Sequence, residues 1–377
     1  MTSGFGASLW RCVSGTVANV NTSRQQVMAR PTDGSPPVDW SLAVSTGQAL
    51  ARGGPAIDPG EARSAVRELR DITASAEEHV RELTGLGQGL PLHDGEVVDR
   101  PGWVRAAAEG LAALTEGALP SAYTGPLGNV LAGTAGVQAG VVLAFLSSRV
   151  LGQYDPFGGE HGRLLLVAPN VVGAQRALDV PAGDFRLWVC LHECTHRLQF
   201  TAVPWLRSYF AGEVAALLSS IDGNVADPVS RLSEVFRSAR QRLRASDARP
   251  VTGLIDLLQT PEQRRQLDRL IALSTLLEGH ADHVMDAVGP QVVPSVAIIR
   301  ERFAERRKGG GLLDRVLRTL LGVEAKVRQY AEGAAFTRAV IDSVGMEGFN
   351  AVWSAPDTLP TRPEIADPSR WLHRVHG

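Results

Sequence analysis

Cysteine is scarce: three residues in 377, too few for a disulfide framework. Two of them, Cys190 and Cys194, fall inside an apolar, helix-like run, so the chain reads as a cytoplasmic protein of a reducing compartment. An excess of either charge is also lacking. Lys and Arg total 38 against 40 Asp and Glu, a formal net charge of -2, which removes the bulk electrostatic drive toward nucleic acid or anionic lipid. Residues 1–21 contain no uninterrupted apolar stretch of the length an export signal needs, being broken by Ser, Gly, Thr and Arg11. Long hydrophobic runs are limited to Gly128–Ser147, where Gly136 and Gly140 have the spacing of close-packed membrane helices. Asn129, Thr134 and Gln138 dilute that run, and it reads as a buried core helix and not as a membrane span. No internal repeat or charge block is present. What remains, 44% hydrophobic and 21% charged, is the composition of a globular chain with enough length for one large domain or two ordinary ones.

Residues 1–35 end in the turn-rich Arg30-Pro31-Thr32-Asp33-Gly34-Ser35 and read as a mobile extension, with Met28 an alternative start. The rest, 36–377, reads as a single domain with a helical part over 36–125 and a core with C-terminal helices over 126–377. Asp58-Pro59-Gly60-Glu61 opens a helix whose Ala65, Val66, Leu69, Ile72 and Ala76 recur at helical spacing, and Asp99-Arg100-Pro101 opens another. Gly152 to Gly159 reads as a loop. Arg163-Leu164-Leu165-Leu166-Val167-Ala168-Pro169-Asn170 is short and apolar, bounded by Gly and Pro, and predicts a strand. Asp184 is placed to cap a helix running to Phe200. Thr260-Pro261-Glu262-Gln263 combines a cap, a helix-opening proline and a capping-box glutamine, starting a helix that Gly289-Pro290 stops. Arg302–Gly311 reads as a solvated helix end with a loop, and Pro356–Pro368, lacking periodicity, as a surface-wrapping tail. The fold class expected is mainly α with a small β element.

Within the predicted helix from Asp184 lies His192-Glu193-Cys194-Thr195-His196. Two histidines four residues apart sit about 40° from each other around a helix, so both imidazoles can reach one Zn2+, and Glu193, about 100° from His192, can reach a water on that metal. Apolar neighbours Leu187, Trp188, Val189, Leu191, Leu198 and Phe200 place the helix in the core, where two histidines and a carboxylate with no metal would each need a hydrogen-bond partner. Zinc needs a third protein ligand. Glu278 and Asp282, four apart in a second apolar helix, are the best candidates: Glu278 as ligand, Asp282 as acceptor of the free ring N–H of His192 or His196. His280 and His283, about 200° and 140° from Glu278, are competing ligands on other faces. Cys190 and Cys194 point about 160–200° away from His192 and read as core packing. His79, His93, His161, His373 and His376 lack ligand spacing.

The segments HECTHRLQF at 192–200, LEGHADHVMDAVGP at 277–290, LGQYDPFG and GRLLLVAPNVV resemble the actinobacterial zincin-like metallopeptidases, often labelled as associated with deazaflavin-coenzyme biosynthesis. The resemblance covers about Val38 to Trp371. It implies a zincin-like core in which the HExxH helix packs on a second ligand-bearing helix, with His192, His196 and Glu278 binding zinc, Glu193 as general base and Asp282 supporting the ligands. His196 and Glu278 lie 82 positions apart, more than in better-known glutamate zincins, so the intervening helices are expected to shape a substrate cleft. It also implies an edge strand at Arg163–Ala168 to which an extended peptide could add. The activity expected is zinc-dependent hydrolysis of a peptide or protein substrate, with neither nucleic acid nor membrane as partner; the alternatives are hydrolysis of a non-peptide amide and a silent zinc-bound scaffold. An oxyanion donor would be a tyrosine outside the motif, with Tyr330 and Tyr154 the candidates. Oligomeric state is not legible.

Overall fold

A computed structural model of the protein describes residues 37–116, 118, 125–220, 261–308 and 323–377, with backbone alone for 125–127, 306–308 and 323–331. The expected extension 1–35 and much of the 197–277 interval lie outside the described residues. Contacts divide the chain into two units, one running to Ser75 and joined by His93–Cys190, the other made of Ala76–Leu92 and Leu191–Gly377. Two of the three boundaries, after Ser75 and after Cys190, fall inside helices.

In the first unit, α1 (Trp40–Leu50) is capped by Asp39, whose carboxylate accepts from the Leu42 amide at 2.9 Å. It is followed by α2 (Pro59–Thr84), β1 (Glu96–Val98), α3 (Arg100–Thr115), α4 (Gly125–Ser147), β2 (Gly152–Asp155), β3 (Arg163–Val167) and α5 (Ala168–Leu178). Asp99 caps α3 through Gly102 at 2.7 Å. The run 128–147 is the one helical segment among the described residues long and apolar enough to cross a membrane. Its glycine pair has a local use: a Cβ on Gly136 would strike the Asp39 carbonyl and one on Gly140 would lie 2.6 Å from the Ala43 carbonyl, so both glycines let α4 approach α1 backbone to backbone. Trp103, Val104, Ala107, Leu143, Leu165 and Val167 form the core beneath. Each large side chain there contributes roughly 1.5–3 kcal/mol of burial.

Two sequence readings are corrected in this unit. Gly152–Asp155 is not a loop but a strand pairing antiparallel with β3, while β1 pairs with β3 in parallel. The sheet order is therefore β1-β3-β2, which leaves β3 in the centre and without the open edge an added peptide strand requires. The apolar run also stops being strand at Val167, because Pro169 sits in the first turn of α5, where a missing N–H is harmless.

The helix α6 (Ala182–Thr201) contributes its residues from Leu191 onward to the second unit. Asp184 lies inside its first turn and not at the cap, where its charge still complements the helix dipole. Next come α7 (Leu206–Ser219), α8 (Pro261–Ala287), the single turn α9 (Gly289–Val292), α10 (Val296–Lys308) and α11 (Val323–Phe349), which kinks at Gly345. Pro261 opens α8 as expected, and Gly289 follows its end with φ of 68°. Packing of α8 on α11 is close at Gly279 and Gly333: a Cβ on either would overlap the other helix's backbone. This crossing backs the turn that carries Glu278. The proline-rich tail is not irregular. Pro356, Pro363 and Pro368 sit in the first turns of a 3-10 turn, α12 (Arg362–Ala366) and α13 (Pro368–His376), with Thr361 and Glu364 forming a capping box. Trp371 of α13 is fully buried and donates to the Thr358 carbonyl at 2.8 Å.

Candidate metal centre

Helix α6 is buried on most of its surface, with Phe185, Val189, Cys190, Leu191, Cys194 and Leu198 in the core. This burial orients the remaining stripe, His192 and His196, which meet edge to face with ring centroids 4.6 Å apart. Their Nε2 atoms are separated by 3.1 Å, and Glu278 Oε2 from α8 lies 3.4 Å from the first and 3.6 Å from the second. These three atoms form, among the described residues, a group able to hold a metal ion. Oε2 is buried and makes no well-formed hydrogen bond. Three lone-pair donors converging in this way repel one another unless a positive charge lies among them. A tetrahedral Zn2+ with ligands at about 2.0–2.2 Å needs donor atoms about 3.3–3.6 Å apart, so the spacing and the His, His, Glu chemistry fit the ion.

Without a metal, a proton serves the same purpose. Burial alone would keep His196 neutral, but Glu278 beside it, the Glu193 charge and Gln199 push its pKa up to about 9. Glu278 is moved the other way: burial disfavours its charge, yet the two imidazoles hold it well below the usual carboxylate range. The signs follow from linkage. Stability that the metal-free fold draws from protonated His196 is complete below about pH 6.5 and is lost as pH rises toward 9, whereas that from ionised Glu278 is present above about pH 4.5 and lost in acid. Zinc must displace the His196 proton. Titration calorimetry at pH 7.5 in buffers of different ionisation enthalpy is expected to show close to one proton released per zinc bound, falling toward zero above pH 9. Release of none at pH 7.5 would mean that both imidazoles are neutral beforehand.

Partners of the outer ring nitrogens differ from expectation. His196 Nδ1 lies 2.9 Å from Gln199 Oε1, and His192 Nδ1 lies 3.2 Å from the Met285 sulfur. Asp282 is turned to α10, where Arg300 donates to its carboxylate and to its carbonyl, each at 2.7 Å. The carboxylate next along the helix is thus held by an arginine that the sequence reading left unassigned, and a glutamine one turn beyond the motif takes the role expected of Asp282. A polar residue between Leu198 and Phe200 was the available signal. Of the competing ligands, His280 is wholly buried, its pKa driven down to about 3 by burial, and His283 joins no ligand group. Cys190 and Cys194 are buried and outside the donor group.

Glu193 is 6% exposed and lies on the same helix, its charge felt by His196. Tyr154 belongs to β2 in the first unit, where its hydroxyl donates to the His161 carbonyl at 3.1 Å and closes the loop between β2 and β3. Tyr330 lies in α11, with its side chain outside the described residues.

Residues 38–372 match the family of zincin-like metallopeptidases. The chain belongs to that family. In structure it is similar to a protein from Chloroflexus aurantiacus, provisionally described as a hydrolase with a novel fold: TM-score 0.62, 28% identity, covering 90% of this chain and 99% of that one. No curated protein matches it significantly. Membership of the zincin-like metallopeptidases implies a metal, usually zinc, and a hydrolase. Mainly helical architecture with a three-stranded sheet accords with the family.

Proposed function

We propose that the protein is a zinc-dependent peptidase of the cytoplasm, acting on a peptide or protein substrate. The observation that carries this reading is the convergence of His192 Nε2, His196 Nε2 and Glu278 Oε2 within 3.6 Å of one another, with Glu193 adjacent in the motif. His192, His196 and Glu278 would hold the metal. When bound, zinc supplies a Lewis acid that polarises a carbonyl and acidifies water toward neutrality. The chain's own residues do the remainder. Glu193 accepts the proton of the attacking water on its carboxylate and delivers it to the leaving nitrogen. Its burial keeps that carboxylate in a medium where proton transfer is not outcompeted by bulk solvent. Met285 and Gln199 hold the two imidazoles by their outer nitrogens. Tyr330 and Tyr154 are the tyrosine candidates to stabilise the oxyanion. A near-zero net charge and three cysteines support a non-nucleic-acid substrate and a reducing compartment. The motifs resemble those of the deazaflavin-associated actinobacterial members, a likeness that speaks to context and not to reaction.

Elemental analysis of the purified full chain tests the reading. About one zinc per chain is expected, lost on His192→Ala. Absence of stoichiometric zinc after metal-free handling and reconstitution would overturn it. Turnover of a peptide library, with small amides as the comparison, then separates a peptidase from an amidase.

A further inference from the structure

Gln199 is fully buried at the end of the metal helix, and each polar atom of its amide has a partner. Nε2 donates to the Leu277 carbonyl at 2.9 Å and lies 3.1 Å from His280 Nδ1, while Oε1 faces His196 Nδ1 at 2.9 Å. The order of these partners fixes the amide's direction. A backbone carbonyl can only accept, so the nitrogen must face Leu277, and the oxygen must face His196. An amide oxygen can only accept in turn, which requires His196 to carry a proton on Nδ1 and leaves Nε2 as the atom aimed at Glu278. On the other side, His280 Nδ1 must accept from Gln199, so His280 is neutral with its proton on Nε2. Its surroundings agree with neutrality: the ring is fully buried, with the Phe349 and Trp353 ring centroids at 5.1 and 5.6 Å.

Leu277 immediately precedes Glu278. One side chain therefore joins a ligand histidine on α6 to the backbone beside the third ligand on α8. From this arrangement we propose that Gln199 is a positioning residue for the metal: it holds the His196 Nδ1 proton, so that Nε2 is the nitrogen left for the ion, and it sets the separation of His196 from Glu278 before any ion arrives. The proposal rests on the metal reading given above. Asp282, four residues along the helix from Glu278, cannot substitute for it, because its carboxylate is already engaged by Arg300.

Zinc affinity of the full chain, measured by competition with a chromophoric chelator, tests this together with nitrogen-15 spectra of the histidine side chains. Gln199→Leu keeps the volume and removes every polar contact; it is expected to weaken zinc binding on the order of 10- to 100-fold and to expose the His196 Nδ1 proton to exchange. Gln199→Glu keeps an acceptor for that proton and loses the donor to Leu277. It is expected to retain the Nδ1-protonated signature while binding zinc less tightly than wild type. Circular dichroism of the metal-free variants distinguishes loss of fold from loss of affinity, and if Gln199→Leu does not fold, Gln199→Glu carries the test. A folded Gln199→Leu variant with wild-type affinity would overturn the proposal, as would a Gln199→Glu variant whose His196 lacks the Nδ1 proton. Wild-type protein that takes up no zinc would overturn the metal reading itself, a result separable from either.

Discussion

Replacing Glu193 by glutamine is expected to lower peptide turnover by about 10²–10⁴-fold while zinc stoichiometry stays at that of wild type. The substitution preserves the volume of a side chain that is 6% exposed on a buried stretch of helix, so it changes what the group can do with a proton and little else. A carboxylate can take a proton from water and return it; a carboxamide cannot. His192, His196 and Glu278 are untouched, and for that reason the metal should remain. The comparison of Glu193→Gln with His192→Ala is the informative one, because the first is expected to separate catalysis from metal binding and the second to abolish both. Steady-state turnover of the most responsive member of a fluorogenic peptide library, paired with metal analysis of the same preparations, checks it. Turnover unchanged in Glu193→Gln would mean that another group serves as base. Zinc lost from Glu193→Gln would show instead that Glu193 supports the ligands.

The three donors that the structure brings together were legible as a group because helical spacing is rigid: His192 and His196 must share a face, and a carboxylate in an apolar helix signals a partner across the core. What completes the site was less legible. Asp282 stands four residues from Glu278, the spacing that drew attention to it, but side-chain direction on a helix is settled by what the neighbouring helix offers, and α10 offers Arg300. Met285 carries no signal as a hydrogen-bond partner in sequence, since thioethers usually fill cores. Gln199 did carry one, as a lone amide among apolar residues. In the fold, long helices followed from caps and periodicity, whereas β1 and β2, of three and four residues, are too short for an alternation to register. The tail lacked periodicity and read as a surface wrap, yet its prolines act as helix openers, a distinction made by the residues after each proline and not by the proline count.

Removal of Glu77 is expected to destabilise the second unit by about 3–5 kcal/mol. Glu77 and Arg197 are 1% and 3% exposed, and Arg197 donates to the carboxylate at 2.7 Å while Arg81 holds its other oxygen at 2.5 Å. Through this pair the segment Ala76–Leu92 is bound to the metal helix, one residue beyond His196. Glu77→Ala leaves the Arg197 guanidinium buried without that carboxylate, and the cost of removing it is what the variant would measure. The pair's own net worth is a different quantity. Glu77→Leu combined with Arg197→Met replaces both charges with apolar groups, and it is expected to recover most of the loss, because the attraction between two buried charges largely offsets the cost of taking each from water. Urea unfolding of the three proteins, followed by circular dichroism in the metal-free state, makes the comparison. A Glu77→Ala variant within 1 kcal/mol of wild type would mean that Arg197 finds water on losing its partner. A double variant as unstable as the single one would mean that the ion pair holds the metal helix in a geometry that apolar packing cannot reproduce, and zinc affinity should then fall with stability.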